Sequence, residues 1–349
     1  MDAPYSIIVD SPCEITKEFA EQNDLTVLHF TYTEADKEDG GLSGTDNLFN
    51  AKTAHEFYDA MRHGASPMTS QPSQLEFEEC FRQVAKSGKP AIYLAFDSGI
   101  SGCYEGACTA LERVKEDYPD IPLTIVDTKL ASTPLNLLVY EAVRQRNKGL
   151  SMEGLAQWAT EAHNFIHTLF MVDDLKALAR GGRIPTGIAF VGTKLDIKPM
   201  LTIALDGKLE LVGVARGRKK GIRRLADNYL KNHEENTPVC AIGNADCPAD
   251  VRRLEDLISR SDENTLFLES FAGPTIGCHV GPGFMSCCFW GADKRGTMAV
   301  PDKIASQVST SNLNGACARL LRTQTHAPSC LEAFQVGGCV SRQFEDSGG

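Results

Sequence analysis

Two clusters of hydroxyl side chains stand where a strand-like run of residues gives way to a helix-like one. The first cluster contains Thr69 and Ser70, and the second contains Ser98, Ser101 and the adjoining Gly102. In a parallel α/β sheet, ligands collect at the carboxyl ends of the strands, and a helix N-terminus offers free amide groups to an anion. Because both clusters occupy this kind of position, we predict that they share one anion-binding site. For Ser101, the alternative is a simple cap of its own helix.

One of the eight histidines is the other candidate for binding chemistry. His279 lies between Gly277 and the turn-like sequence Gly281-Pro282-Gly283, where its backbone is expected to be fixed. Histidine can donate a hydrogen bond to a carboxylate, and it titrates near neutral pH. We therefore predict a ligand-binding role for His279, with a purely structural histidine as the alternative.

A hydrolase of lipid or acyl esters that uses Ser101 and His279 is an alternative function. The serine of such enzymes often stands in a G-x-S-x-G turn, which exposes the nucleophile between a strand and a helix. Cys103 occupies the position where this motif needs its second glycine. We therefore expect no catalytic residues and a protein that binds its ligand without converting it.

Arginine and lysine are concentrated in one part of an acidic chain. The 35 Lys and Arg and the 46 Asp and Glu residues give a net charge of −11; residues 176–224 hold twelve basic and three acidic residues, a local +9 that leaves −20 elsewhere. This basic window includes Arg180, Arg183, Arg216 and Arg218, whose guanidinium groups suit carboxylate or phosphate. The overall charge disfavours nucleic acid as a partner. Two alternatives remain for the basic window. It could bind DNA in a regulatory protein, or it could simply be a solvated basic face.

Motifs for metal, nucleotide and membrane binding are missing from the sequence. The histidines and the twelve cysteines never fall into a metal-ligand spacing, so we expect no metal, no cofactor and reduced thiols. Residues 187–194 read G-x4-G-T-K, which reverses the order of Lys and Thr in a nucleotide-binding loop. No apolar run approaches the ~20 residues that span a bilayer, and the chain starts without a basic leader, so we expect a cytoplasmic protein.

Strand-like and helix-like runs alternate along the chain and must position these residues. In the first half, apolar runs at 6–10, 26–31, 91–96 and 123–126 alternate with helical patterns, which predicts a parallel sheet covered by helices. In the second half, Asp206-Gly207 between two apolar runs predicts a hairpin, and further helices follow. We therefore predict an α/β fold with two domains: residues 1–164 with a parallel sheet, and residues 165–294 with a mixed sheet. Residues 295–349 form an extension of unknown role.

Several short segments, taken together in their order, resemble the DegV family of bacterial fatty-acid-binding proteins, the binding partners of fatty acid kinase. The segments are Ile8-Val9-Asp10-Ser11, Thr69-Ser70-Gln71-Pro72-Ser73, Ser98-x-x-Ser101-Gly102-x-Tyr104, Val126-Asp127, Gly181-Gly182-Arg183-Ile184, Lys198-Pro199-Met200 with Asp206-Gly207, Arg216-Gly217-Arg218-Lys219-Lys220 and His279-x-Gly281-Pro282-Gly283. Their joint order from residue 8 to residue 283 carries the resemblance. The chain departs from the family pattern at Cys103, where Thr is usual, and after Lys294, where no counterpart is recognised.

The resemblance implies a function and a role for each cluster. It implies that the protein binds a long-chain fatty acid in an apolar tunnel of the first domain and presents its carboxylate to a separate ATP-dependent kinase, which forms an acyl phosphate. It implies that the carboxylate is held near the domain junction by Thr69, Ser98 or Ser101, and His279. The arginines implied to face the kinase are Arg180, Arg183, Arg216 and Arg218. Transient contact with a membrane is left open.

Overall fold

Two larger sheets and one small sheet organise the chain. The computed structural model describes residues 3–34, 37, 41–47, 54–173, 175–185 and 196–297. The strands are β1 (Ser6–Asp10), β2 (Leu25–Leu28), β3 (Thr31–Thr33), β4 (Gly44–Thr45), β5 (Met68–Ser70), β6 (Ala91–Ala95), β7 (Leu123–Asp127), β8 (Ile166–Met171), β9 (Ile197–Ile203), β10 (Leu209–Arg216), β11 (Val239–Asn244), β12 (Leu266–Phe271) and β13 (Met285–Trp290). The helices are α1 (Lys17–Gln22), α2 (Ala54–Arg62), α3 (Gln74–Ser87), α4 (Cys103–Asp117), α5 (Thr133–Asn147), α6 (Met152–Ala162), α7 (Lys176–Arg180), α8 (Arg218–Asn232), α9 (Pro248–Ser259) and α10 (Pro274–Val280).

The first half of the chain forms a four-stranded parallel sheet, in the order β2-β1-β6-β7. Strand β6 is buried along its whole length, and β1 is nearly so, as expected for strands covered by helices on both faces. Ser73 is the N-cap residue of helix α3, and its side chain forms a capping box with Glu76. The predicted parallel sheet is confirmed, and its carboxyl edge carries the 97–102 loop.

The second half forms a six-stranded mixed sheet, in the order β10-β9-β8-β13-β11-β12. Only β11 and β12 are parallel; the other neighbours are antiparallel. Helices α8 and α9 cover one face with a core that includes Ile222 and Leu254, packed with Met171, Cys287 and Phe289 of the sheet. The hairpin predicted at Asp206-Gly207 joins β9 to β10. The predicted α/β class with a parallel and a mixed sheet is therefore confirmed.

Several elements were not expected from the sequence. They are the small antiparallel sheet β4-β3-β5, with helices α2, α6 and α10 and strand β13. The small-sheet strands have only two or three residues, too few for an alternating pattern to be recognised. His279 lies in the last turn of α10, a helix that was not expected. The sequence had suggested only that the backbone around His279 is fixed by the glycines and the proline beside it.

The predicted domain boundary at residue 164 lies between α6 and β8, and it stays a prediction. The predicted boundary at residue 294 coincides with the start of a short 3-10 helix, Lys294–Thr297. Of the predicted extension, residues 298–349 lie outside the described residues. Arg295 still contacts Glu161, at 2.7 Å, so the chain remains attached to the fold at that point. Among the described residues, no helix is both long and apolar enough to cross a bilayer.

The tip of the β9–β10 hairpin rests on the loop that carries Ser101. A Cβ on Gly99 would lie 2.5 Å from the carbonyl carbon of Gly207, and a Cβ on Gly207 would lie 2.0 Å from Asp97 Oδ1. Gly207 also has φ +84°, a backbone conformation that favours glycine. This backbone contact between the two halves requires glycine on both sides and fixes the loop against the hairpin.

Candidate functional site

An apolar cavity lies between the parallel sheet and the mixed sheet. It contains an empty space of about 690 Å³, part of it open to solvent. Its apolar wall comes from both halves of the chain. Phe30, Phe96 and Pro134 belong to the first half, and Phe170, Ile203, Leu209, Ile276 and Phe284 belong to the second. A long apolar ligand would therefore contact both predicted domains.

The alternation of side chains along the mixed sheet decides which residues face the cavity. On β13, Met285 and Cys287 point into the core under α8 and α9, so Ser286 faces the other way and lines the cavity. On β8, Met171 belongs to the same core and Phe170 lines the cavity. One face of the sheet thus builds the domain core, while the opposite face is left to hold a ligand.

Thr69 and His279 meet at the mouth of this cavity, although 210 residues separate them. Thr69 Oγ1 lies 2.8 Å from His279 Nε2, and both side chains line the cavity. Burial, aided by the positive charges of Arg183 and Arg180, lowers the pKa of His279 to about 4, so the imidazole is neutral at pH 7. When Nε2 carries the proton and donates to Thr69, the threonine hydroxyl keeps its own proton for a ligand.

Gly181 determines how closely His279 packs. A Cβ at this position would lie 2.2 Å from His279 Nδ1 and 2.8 Å from its Cε1. His279 Nδ1 is buried and has no hydrogen-bond partner in the described part of the chain. The imidazole is therefore held by its contact with Thr69 on one side and by the bare backbone of Gly181 on the other.

Arg183 reaches the same mouth. Its Nε donates to the Ile100 carbonyl at 2.9 Å and its Nη1 donates to the Gly181 carbonyl at 2.5 Å. A guanidinium group has five N–H donors, so three are left beyond these two bonds. Arg183 lines the apolar cavity and both polar pockets that flank it. It can therefore supply positive charge to an anionic head group as well as to a partner.

The second hydroxyl cluster divides between two roles. Ser101 lines the cavity, and its Oγ also accepts a hydrogen bond from Cys103 N at 3.2 Å in the first turn of α4. This contact agrees with the capping interpretation, and ligand binding by Ser101 stays a prediction. Gly102 is the N-cap residue of α4 and has no side chain to cap it. Ser98 lies outside the apolar cavity: its Oγ donates to Asp127 Oδ2 at 2.6 Å and accepts from Lys129 Nζ at 2.5 Å. Ser101 is thus the serine of this cluster that a ligand in the cavity can reach.

The other predicted site residues lie further from the cavity. Ser70 is exposed and lines the polar pocket beside Thr69. Arg180 and Arg216 are exposed. Arg218 forms two ion pairs within the chain, with Asp250 and with Asp173 at 3.0 Å. The assignment of the four arginines to partner contact stays a prediction, and Arg218 has a structural role besides it.

Two buried carboxyl groups hold the N-terminus of α10, the helix that carries His279. Glu14 Oε1 accepts from Gly273 N at 3.1 Å, and Asp46 Oδ2 accepts from Thr275 N at 3.1 Å. Glu14 Oε2 accepts from Ser132 Oγ at 2.8 Å. Burial raises the pKa of Glu14 from 4.5 to about 8, so this carboxyl is largely protonated at pH 7. Residues of the first half thereby position a site residue of the second.

In the described part of the chain, no hydrogen bond joins Ser101 to His279, and no carboxylate bonds His279 Nδ1. The hydrolase alternative needs a serine–histidine pair and an orienting group for the histidine. The geometry therefore gives that alternative no support.

The sequence pattern did not reveal the apolar wall or the residues that orient the head-group site. The wall is assembled from residues scattered over strands, helices and loops of both halves, so no local pattern indicates it. A signal for α10 was present: Pro274 follows Gly273 and occupies the first turn, where proline is favoured. The burial of Glu14 could not be predicted, because a single acidic residue near the end of a strand is expected to be exposed.

Known proteins are similar to this chain in sequence and in fold. The model of the DegV family, whose members are described as uncharacterised, matches residues 4–291. A DegV domain-containing protein of Clostridium perfringens is 33% identical over 291 residues, covering 83% of this chain and 98% of the relative. A stearic-acid-binding protein from Eubacterium ventriosum has a TM-score of 0.72 at 25% identity, over 84% of this chain and 100% of the other. The Fak B3 protein of the Streptococcus pneumoniae fatty acid kinase, loaded with linoleic acid, shares the fold, with a TM-score of 0.69 at 18% identity over 82% and 99% of the two chains.

Proposed function

This chain belongs to the DegV family, and on that premise we propose that it binds a long-chain fatty acid and presents the carboxylate to a separate ATP-dependent kinase. The observation that carries the proposal is the apolar cavity with Thr69, His279, Ser101 and Arg183 at its mouth. A similar protein from Eubacterium ventriosum is described as binding stearic acid, which supports the same ligand class here.

The lining of the cavity suits an acyl chain, because apolar side chains from both halves of the chain make up most of its wall. Burying ~15 methylene groups at ~0.8 kcal/mol each contributes ~12 kcal/mol, before the costs of ordering and association. We propose that the acyl chain lies in this shared cavity. The tunnel expected from the family resemblance was confined to residues 1–164.

The polar mouth selects a carboxylate. A carboxylate taken out of water costs several kcal/mol unless its oxygens are hydrogen-bonded. The hydroxyl groups of Thr69 and Ser101 and the N–H groups of Arg183 can supply these bonds, and a neutral His279 orients Thr69. The head group therefore discriminates fatty acids from neutral lipids, while the tail supplies most of the affinity.

Mass spectrometry of the denatured, extracted protein tests ligand binding. We expect about one equivalent of a long-chain fatty acid per chain in purified protein, and uptake of added oleate after lipid removal. Finding neither an acyl species nor uptake would contradict the proposal. The double variant Thr69→Val/Ser101→Ala should retain less fatty acid than the wild type.

The exposed basic surface beside the mixed sheet suits an acidic partner surface. Arg216, Lys219, Lys220 and Arg223 are all exposed at the end of β10 and in the first turns of α8. Electrostatic docking of this kind acts mainly on the association rate, and it weakens with salt as the Debye length falls from ~10 Å at 0.1 M to ~3 Å at 1 M. We propose that this surface docks the kinase.

Charge reversal tests the docking surface. Arg216→Glu/Lys219→Glu should slow acyl phosphate formation by the cognate kinase and leave the fatty-acid content intact. Arg218 is left unchanged, because a glutamate there would face Asp173 and Asp250. Lys148→Glu/Arg253→Glu changes the charge equally at exposed sites elsewhere and serves as the control. Normal turnover of the first variant, or acyl phosphate formed from ATP by this protein alone, would contradict the kinase proposal.

A further inference from the structure

Four hydroxyl side chains line the apolar cavity away from the head-group residues: Ser132, Thr168, Thr275 and Ser286. Two of them have protein partners. Ser132 Oγ donates to Glu14 Oε2 at 2.8 Å, and Ser286 Oγ lies 2.7 Å from Thr133 Oγ1. The other two, Thr168 and Thr275, are buried and lack an oxygen or nitrogen partner among the described residues.

Both threonines are deeply buried. Thr275 is 3% exposed and Thr168 is 8% exposed. The hydroxyl of Thr168 contacts the sulfur of Cys288, which is only a weak acceptor. Buried hydroxyl groups in folded proteins nearly always have a hydrogen-bond partner, because leaving one unpaired costs about as much as a lost hydrogen bond. A valine at either position would fill the same volume without this cost. The Thr275 hydroxyl therefore calls for a partner, and the Thr168 hydroxyl for a better one, that the described residues do not provide.

The position of Thr275 places it along the path of the acyl chain. It precedes His279 by four residues on α10, so the two side chains lie on one face of the helix, about 6 Å apart along its axis. Ile276 and Val280 on the same helix also line the cavity. A chain whose carboxylate sits beside His279 therefore passes Thr275 within its first several carbons.

Thr168 marks a second polar position on the sheet side of the cavity. It pairs with Cys288 across the β8–β13 ladder, while Ser286 pairs with Phe170. Thr168 and Ser286 are thus diagonal neighbours on the sheet face that lines the cavity. The cavity wall formed by the mixed sheet thus carries two hydroxyl groups. An unmodified acyl chain would require only apolar side chains there.

Taking the proposed function as the premise, we propose that the preferred ligand is a fatty acid that carries a hydroxyl group on its chain. The ligand hydroxyl would bind at Thr275 or Thr168. A hydroxyl group both donates and accepts, so it pairs with a threonine hydroxyl in either direction. The rest of the chain stays in contact with the apolar wall. An unmodified chain would leave Thr275 unpaired and Thr168 with only the weak sulfur acceptor of Cys288, and it would be the weaker ligand.

Calorimetric titration of delipidated wild-type protein compares stearic acid with a series of hydroxystearic acids in which the hydroxyl group moves along the chain. Binding of stearic acid tests the proposed function by itself. We expect at least one isomer to bind about 5-fold or more tightly than stearic acid, the effect of one satisfied buried hydroxyl. If stearic acid binds and every hydroxystearic acid binds equally or more weakly, the inference is wrong while the proposed function stands.

Two threonine-to-valine variants assign the position. Thr275→Val or Thr168→Val should weaken binding of the favoured isomer and tighten binding of stearic acid, because a methyl group replaces the unpaired hydroxyl. Thr160→Val, on the exposed face of α6, is the matched control and should alter neither affinity. If the isomer keeps its advantage in both cavity variants, or in their double variant, the threonines do not bind it and the inference is overturned. If water molecules instead form the missing hydrogen bonds to the threonines, no hydroxystearic acid binds the wild type more tightly than stearic acid. That result also overturns the inference.

Discussion

The backbone of Gly181 borders the space that the His279 imidazole occupies, so an added methyl group tests the head-group site directly. A Cβ at residue 181 would lie 2.2 Å from His279 Nδ1, whereas ordinary contacts need about 3.5 Å. Gly181 has φ −72° and ψ −3°, a conformation that alanine adopts without strain. Gly181→Ala therefore displaces the imidazole by about 1 Å or more, and the 2.8 Å contact with Thr69 is lost.

We expect Gly181→Ala to weaken fatty-acid binding by about 10- to 150-fold, which corresponds to the roughly 1.5–3 kcal/mol of a hydrogen bond to a charged group. Titration calorimetry of delipidated protein with oleate gives this affinity directly. The thermal unfolding temperature should change little, because α7 ends at Arg180 and alanine is compatible with the backbone that follows.

The neighbouring glycine supplies a matched control. Gly182 has φ +73°, and no atom of the described residues lies within 4 Å of where its Cβ would be, so Gly182→Ala strains the backbone without touching His279. It should lower stability by about 1 kcal/mol and retain ligand binding. The double variant Gly181→Ala/His279→Ala should bind like His279→Ala alone, because the clash is gone. Wild-type affinity of Gly181→Ala, or an additive loss in the double variant, would refute the reasoning.

Three further predictions concern the second hydroxyl cluster, the buried carboxyl and the C-terminal extension. Ser101→Ala should weaken oleate binding by about 5- to 150-fold, or about 1–3 kcal/mol, in the same titration; an unchanged affinity would place the head group elsewhere. Glu14 keeps its proton in the folded protein up to about pH 8 but loses it near 4.5 when unfolded, so its contribution to stability falls by about 1.4 kcal/mol per pH unit between these values. Glu14→Gln can still accept from Gly273 N while its amide N–H donates to Ser132 Oγ, and it should remove that slope from denaturant unfolding curves measured at pH 5 to 8; identical slopes would contradict it. A chain ending at Thr297 should keep its fatty acid, since the DegV match ends at residue 291, and loss of lipid from a folded truncated protein would disprove this.

The order of strands and helices could be predicted because each element has its own local pattern. The run Ser6–Asp10 is apolar and bounded by polar residues, and it forms a buried strand of the parallel sheet. The hairpin at Asp206-Gly207 depends on a few adjacent residues and formed as predicted, and the capping box at Ser73 is equally local. Short elements such as β3 and β5 were missed, because two or three residues show no periodicity.

The candidate site divides along the same line. Residue types and spacing singled out Thr69, Ser101 and His279, since hydroxyl groups before a helix and a histidine among glycines are visible in one dimension. That Thr69 contacts His279 while Ser98 instead binds Asp127 depends on how the two halves pack. The charge of Arg218 was visible, but its two ion pairs come from residues 45 and 32 positions away.

By itself the sequence determined the α/β class and the two kinds of sheet, and it singled out candidate residues for an anion site, because periodicity and local hydrogen bonding act over a few neighbouring residues. The tertiary structure alone decided where an apolar ligand fits. The cavity exists because one face of the mixed sheet, with Phe170 and Ser286, is turned towards Phe96 and Pro134 of the first half. Burial is a property of the packed fold, and it also decides that Glu14 holds its proton near neutral pH and that the Thr275 hydroxyl has no partner among the described residues.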